Sequence, residues 1–202
     1  MPSTKVLNQS DARPWHFQEL LPSNGKWRVV FFVGDITVEQ QRHKLDAVGK
    51  ALDDKTSFLN CYTPPGAAFD AVFEVLAVHS SPRTKVTIFD FPSAFRHYDD
   101  VEGYDYSKIF ADDISYHEGY GQVYETFKVS SQGCAVIIRP DQYISYVGPM
   151  EDVEPLSRFF AGFMLSPLLP DGTNGTGGAN GTNGAGIDGA HADVQAVDLR
   201  IA

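Results

Sequence analysis

The sequence predicts an α/β domain in which a βαβ unit is followed by a ββα unit around one mixed sheet. Three observations carry this. Residues Trp27 to Val33 form an apolar run without polar alternation, the pattern of a strand covered on both faces. An amphipathic helical pattern follows it directly, from about Val38 to Asp54. Late in the chain Cys134–Ile138 and Tyr143–Val147 are short apolar runs joined by a tight turn, and a second helical pattern comes after them.

The elements follow in order. Residues 1–10 read as an extended lead-in to a domain over residues 11–167. His16 to Leu21 predicts a short helix, closed by Pro22 and the turn Ser23-Asn24-Gly25. After the strand at 27–33, Thr37 is placed to cap the first long helix, with Gln40 completing a capping box. Val38, Leu45, Val48 and Leu52 share one face of that helix. The Val-rich stretch 72–79 predicts a second strand, and Lys85-Val86-Thr87-Ile88-Phe89 a third beyond the Ser81-Pro82-Arg83 turn.

Residues 90–115 are acidic and Tyr-rich and read as a long ordered loop. Tyr120, Val123, Tyr124 and Phe127 recur at helical spacing, so 119–128 is predicted helical. Arg139-Pro140-Asp141-Gln142 suits a type I turn with Pro at its second position, joining antiparallel strands. Asp152 is placed to cap a last helix with Val153, Leu156, Phe159, Phe160, Phe163 and Met164 on its face. The segment from Asp171 to Gly186, rich in Gly and Asn, has too little apolar area to offset its backbone entropy, so 168–202 is expected to be a disordered tail.

Composition narrows the function. The 202 residues are 43% hydrophobic, enough for one domain with a core. The formal charge is −10, with 26 acidic against 16 basic residues, which disfavours nucleic acid or an anionic membrane as partner. No apolar run reaches transmembrane length and the N-terminus lacks a signal-peptide pattern, so the cytoplasm is the expected compartment. Two cysteines, Cys61 and Cys134, are too few for a disulfide framework. Asn8, Asn174 and Asn180 begin glycosylation sequons that matter only in a secreted chain.

A βαβ unit followed by ββα is the thioredoxin-like topology. In such a fold the turn after the first central strand carries Cys-x-x-Cys, because a helix N-terminus lowers a thiol's pKa there. The turn here is Gly34-Asp35-Ile36-Thr37, with no thiol. Gly133 stands near the place where thioredoxins carry a cis-Pro. The scaffold is kept and the redox chemistry is missing.

Several segments resemble the C-terminal domain of fungal phenol 2-monooxygenases, a family of flavoprotein aromatic hydroxylases. They are residues 11–28, Ile109-Phe110-Ala111-Asp112-Asp113, Ser115-Tyr116-His117-Glu118-Gly119, Arg139-Pro140-Asp141-Gln142-Tyr143 and Arg158-Phe159-Phe160-Ala161-Gly162-Phe163. The matches run from about Val6 to Leu165. The resemblance implies a thioredoxin-like module without a redox Cys pair that serves in dimerisation behind flavin and substrate domains. Its signature residues here are Asp112, Tyr116, His117, Arg139, Pro140, Asp141 and Tyr143. No G-x-G-x-x-G turn follows a strand, so no flavin site is expected in this chain, which reads as a free-standing relative of the accessory domain or a fragment of a longer protein.

Each sharper reading has a plainer rival. Cys61 lacks the Pro, Thr and Arg pattern of a peroxidase nucleophile, so a loop or core cysteine is favoured over a thiol peroxidase or reductase. Asp112, Asp113, His117 and Glu118 match no metal-ligand spacing and read as loop charge with one structural His. His79 ends an apolar strand and has no nucleophile for a partner. Arg139 and Asp141 read as turn chemistry. Tyr116, Tyr120 and Tyr124 are expected to wedge the long loop onto the sheet. No catalytic residue, cofactor or metal site is expected. The predicted function is association, as a homodimer or by docking to a flavin-dependent hydroxylase, through Phe159, Phe160, Phe163 and Met164. The rival is a small-molecule-binding or isomerising protein that reuses the apolar cleft of the fold.

Overall fold

The computed structural model describes residues 4–119 and 121–165, so expectations for Tyr120 and for the tail at 168–202 lie outside the described residues. Among the described residues a seven-stranded mixed sheet has the order β2 (Pro14–His16), β1 (Lys5–Asn8), β7 (Ile109–Ala111), β4 (Phe73–His79), β3 (Trp27–Gly34), β8 (Cys134–Ile138), β9 (Ile144–Gly148). Its centre is β3 (Trp27–Gly34), parallel to β4 (Phe73–His79) on one side and antiparallel to β8 (Cys134–Ile138) on the other. Val29, Phe31 and Val33 point into one apolar cluster, and Val30 and Phe32 into a second on the opposite face. Both faces of this strand are covered, which is why its sequence does not alternate.

Helix α1 (Glu39–Asp53) crosses from β3 back to β4 over the first face and buries Leu45, Val48 and Leu52. Gly49 lies on the same face because Pro92 packs there: a Cβ at Gly49 would sit 2.2 Å from the Pro92 Cβ. Two details differ from expectation. Val38, itself the cap position, makes no side-chain cap and is half exposed, while Gln41 is buried in its place. Thr37 caps nothing, because its N–H and hydroxyl both donate to the Asp35 carboxylate (3.0 and 2.7 Å). Helix α2 (Phe58–Tyr62) adds Phe58 and Leu59 to the same cluster.

The largest departures come before β3 and between β4 and β8. The supposed lead-in is β1 (Lys5–Asn8), with Val6 and Leu7 buried, and the short β2 (Pro14–His16) pairs with it at the sheet edge. The expected short helix is present as a 3-10 turn at Phe17–Leu20. Residues 85–89 do not form a strand. Their backbone bonds close locally, Lys85 N–H to Pro82 and Asp90 N–H to Thr87, giving 3-10 turns at Arg83–Lys85 and Ile88–Asp90. The third inner strand is instead β7 (Ile109–Ala111), parallel to β4. The expected loop thus supplies a strand, besides the small hairpin of β5 (Tyr98–Asp99) and β6 (Gly103–Tyr104).

The expected helix at 119–128 is one turn, α3 (Val123–Thr126). The β8–β9 hairpin is as expected: β9 (Ile144–Gly148) pairs antiparallel with β8, and the Gln142 N–H donates to the Arg139 carbonyl at 2.9 Å across the turn. Helix α4 (Glu154–Ala161) then packs on the first face through Leu156 and Phe160. Its cap position is Val153 with no side-chain cap, so Asp152 does not cap it. With β3∥β4 and an antiparallel β8–β9 hairpin followed by α4, the fold is thioredoxin-like.

Candidate functional site

The place to look first is the C-terminal end of β3 and β4, where a thioredoxin-like fold positions reactive groups. Here it is closed by internal bonds. The Gly34 N–H donates to the Tyr124 hydroxyl at 2.7 Å, and that hydroxyl donates to the Val78 carbonyl at 2.7 Å. Ile36 N–H donates to Ser81 Oγ (2.8 Å), Thr37 N–H to Asp35, and Val38 N–H to the Asp35 carbonyl. Gly133 has a left-handed φ of 81°, and a Cβ there would lie 2.1 Å from the Phe32 carbonyl oxygen. Only glycine fits so close an approach.

His79 is fully buried beside this end. Its Nε2 lies 2.8 Å from Gln9 Oε1, and its Nδ1 has no well-formed hydrogen bond. Burial pushes its pKa down to about 4, so the ring is neutral at pH 7. Cys61 lies in α2, where its thiol donates to the Thr56 carbonyl at 3.4 Å. Cys134 is half buried in β8, and burial pushes its thiol up to about 11, so it stays protonated. Both cysteines are free.

An FAD pyrophosphate needs unpaired backbone N–H groups at a helix N-terminus. The amides of Gly34, Ile36, Thr37 and Val38 all have internal partners, and Glu39 opens α1 with a negative charge. The residues of this turn do not fit a flavin pyrophosphate.

The signature residues do not converge on one site. The Asp112 carboxylate accepts the N–H groups of Val123 and Tyr124, both at 2.9 Å, and so anchors α3 and with it Tyr124. Asp113 accepts the Arg83 N–H (2.8 Å), and Glu118 pairs with Lys5. Among the described residues no three His, Cys, Asp or Glu side chains could hold a metal ion. Tyr124 wedges the loop as expected, but Tyr116 is 94% exposed beside the His117 ring and wedges nothing. Arg139 and Asp141 form an exposed ion pair at 2.7 Å across the hairpin turn, and the Pro140 carbonyl accepts the Ser23 hydroxyl (3.0 Å). Tyr143 is 71% exposed.

A cleft of about 1290 Å³ opens on one side between the β5–β6 hairpin and the loop before β4. Asp70, Asp105 and Lys108 line it. Lys108 is held by Glu74 at 2.5 Å, and Glu74 in turn accepts from the buried Arg28 at 2.9 Å. This ion network joins the starts of β3, β4 and β7.

The four aromatic and Met positions expected on the last helix divide: α4 ends at Ala161, so it carries Phe159 and Phe160, while Phe163 and Met164 follow in the turn beyond it. Phe160 is wholly buried among Phe58, Phe73 and Trp27, so it belongs to the core and not to a surface. Phe159 and Met164 are partly buried against the core, and Phe163 is 51% exposed. Ring contacts run from Phe163 to Phe159 (5.4 Å) and from Phe159 to Tyr146 on β9 (6.3 Å). Trp27 closes the group at 5.3 Å from Phe163. Tyr143 and Ile144 are exposed at the start of β9, the last strand of the sheet. The helix periodicity could locate the rings on α4. The contribution of Trp27 and the open side of β9 depend on sheet order, which the local pattern does not carry.

The sequence is similar to parts of known proteins. Phenol 2-monooxygenase fsqG of Aspergillus fumigatus is 33% identical over 168 residues, 83% of this chain and 27% of that protein. FAD-dependent monooxygenase terD of Aspergillus terreus is 34% identical over 168 residues, 81% of this chain and 27% of that protein. The 3-hydroxybenzoate 4-monooxygenase of Comamonas testosteroni is 31% identical over 166 residues, 80% of this chain and 26% of that protein. The chain thus spans about a quarter of the length of these relatives.

Among solved structures, a thioredoxin-like protein from Aeropyrum pernix aligns with a TM-score of 0.43 and 15% identity, covering 80% of this chain and 89% of that one. Yeast Sco1 aligns with a TM-score of 0.45 and 12% identity, covering 82% and 97%. Residues 1–168 match the family described as Phenol hydroxylase, C-terminal dimerisation domain, and the chain belongs to that family.

Proposed function

We propose that this chain is a non-catalytic association module that brings two copies together or joins an FAD-dependent aromatic hydroxylase in the cytoplasm. The observation that carries the reading is the apolar margin of β9 and α4. Phe163 is exposed there against Phe159 and Trp27, Phe159 meets Tyr146 of β9, and Tyr143 and Ile144 are exposed where that strand begins. Aromatic anchors of this kind are enriched at protein contacts. The closed end of β3 supports the non-catalytic half, since its polar groups are bound to one another.

The family description supports self-association, and the printed names of the relatives support a hydroxylase as the wider context. The test is light scattering and sedimentation of the purified chain at micromolar concentration, together with pull-down against any flavin hydroxylase encoded beside it. A dimer or a stoichiometric hydroxylase complex is the expected result. A monomer at every concentration that binds no hydroxylase would sink the proposal.

A further inference from the structure

Asn24 and Gly25 form an exposed turn that leads into β3. The Asn24 side chain there meets two donors: Arg28 Nη2 at 2.7 Å and the Lys26 N–H at 3.3 Å. Both can only donate, so the atom between them is the amide oxygen, Oδ1. The bond to Lys26 folds the side chain back over the Gly25 amide, as in an Asx turn. Among the described residues no hydrogen bond occupies the Gly25 N–H or Asn24 Nδ2. Gly25 has a φ of +83°, and a Cβ there would meet nothing within 4 Å, so its nitrogen is open to attack on a neighbouring carbon.

We infer that Asn24 is a self-deamidation site, activated by Arg28, that marks the age of the chain with a new carboxylate on the turn before β3. The Gly25 amide nitrogen attacks Asn24 Cγ. An N–Cγ bond forms, the Cγ–Nδ2 bond breaks, and the Gly25 proton leaves with Nδ2 as ammonia. The resulting succinimide takes up water. Opening at Cγ gives aspartate, and opening at the main-chain carbonyl gives isoaspartate, whose main chain is longer by a methylene group. Either product carries a negative charge near neutral pH where Asn24 had none.

The role of Arg28 is electrostatic. As the nitrogen attacks, charge gathers on Oδ1, and that oxygen already lies between a guanidinium and a backbone N–H, donors fixed before the reaction begins. Arg28 is 1% exposed, and Glu74 (Nε, 2.9 Å) and the Lys26 carbonyl (Nη1, 3.0 Å) hold it in place. The product carboxylate then faces the same guanidinium, inside the ion network that joins β3, β4 and β7. This inference goes beyond the association reading and does not depend on it.

The experiment incubates the full chain at mildly alkaline pH, folded in buffer and unfolded in urea, and then digests it with trypsin. Asn174, Asn180 and Asn183 also precede Gly, so conversion is read by mass spectrometry on the peptide that ends at Lys26. Asn24 should convert at least about tenfold faster in the folded chain than in urea, because the donors are in place only there. Arg28→Lys keeps the charge but loses the fixed Nη2 donor, and it should bring the folded rate toward the urea rate. Asn24→Gln, whose longer side chain closes the ring far more slowly, should leave the peptide unconverted.

A folded rate equal to or below the urea rate overturns the inference. So does a folded Arg28→Lys chain that converts as fast as the parent. Conversion that persists in Asn24→Gln would place the reaction elsewhere in the peptide and overturn it as well. The folded and unfolded parent decide the question even if Arg28→Lys fails to fold.

Discussion

The end of the sheet where β3 and β4 finish and the margin formed by β9 and α4 treat their groups in opposite ways. At the first, Tyr124, Ser81, Asp35 and Gln9 bind the turn amides and His79. At the second, rings continue from the buried Phe160 through the half-buried Phe159 to the exposed Phe163, and a strand edge has no partner. One region has its bonding capacity used inside the domain and the other keeps it facing outward.

Breaking the contrast begins with Phe160. Phe160→Ala should lower unfolding free energy by about 4 kcal/mol, because a fully buried ring leaves a cavity between Phe58 and Phe73. Chemical denaturation would show it, and a loss under 1 kcal/mol would mean that the inner part of α4 is not core.

The closed end makes a pH prediction. In the folded chain burial lowers the His79 pKa from 6.5 to about 4. Between those values the unfolded chain binds more protons than the folded one. Stability is therefore full above about pH 6.5 and falls as pH drops toward 4, by roughly 3 kcal/mol in total. His79→Gln should flatten that part of the stability curve. An unchanged slope in the variant would assign the acid sensitivity to other groups.

The thiols offer a finer test. Cys134→Ser should cost about 1 kcal/mol, since it sets a hydroxyl among apolar neighbours of β8. Cys61→Ser should change stability by no more than about 0.5 kcal/mol. A larger effect at Cys61 than at Cys134 in thermal denaturation would reverse their assigned burial roles.

The smallest effect is expected at Phe163. At concentrations where the chain is monomeric, Phe163→Ala should move stability by roughly 0.5 kcal/mol or less, as an exposed ring contributes little to its own domain. A loss near that of Phe160→Ala would show that the ring is held by the fold itself.

Much of the frame was legible from local pattern. β3, β4, β8 and β9 are runs of β-branched and aromatic residues bounded by Gly, Pro or polar turns, and α1 and α4 have clear helical periodicity. β1 and β7 were not legible, because each is three or four residues long and gains its bonds from strands far away in sequence. Residues 85–89 have strand composition, yet the Asp90 carboxylate takes the Thr87 N–H and turns the chain locally. The Thr37 cap failed because its hydroxyl donates to the Asp35 carboxylate, an acceptor that spacing does not reveal, and Asp152 stands one residue before the cap position, Val153.

The vacancy at Gly34–Thr37, the Arg139–Gln142 turn and the aromatic wealth of α4 were determined by the sequence alone, since each is a matter of which residues stand next to one another. Tertiary structure decided the rest. It placed Phe160 inside on α4 and Phe163 outside in the turn after it, gathered Gln9, His79 and Ser81 from distant segments into one closed end, and left β9 as the last strand of the sheet. Burial and edge position depend on which strands lie beside each other, and that ordering is set by contacts between residues far apart in the chain.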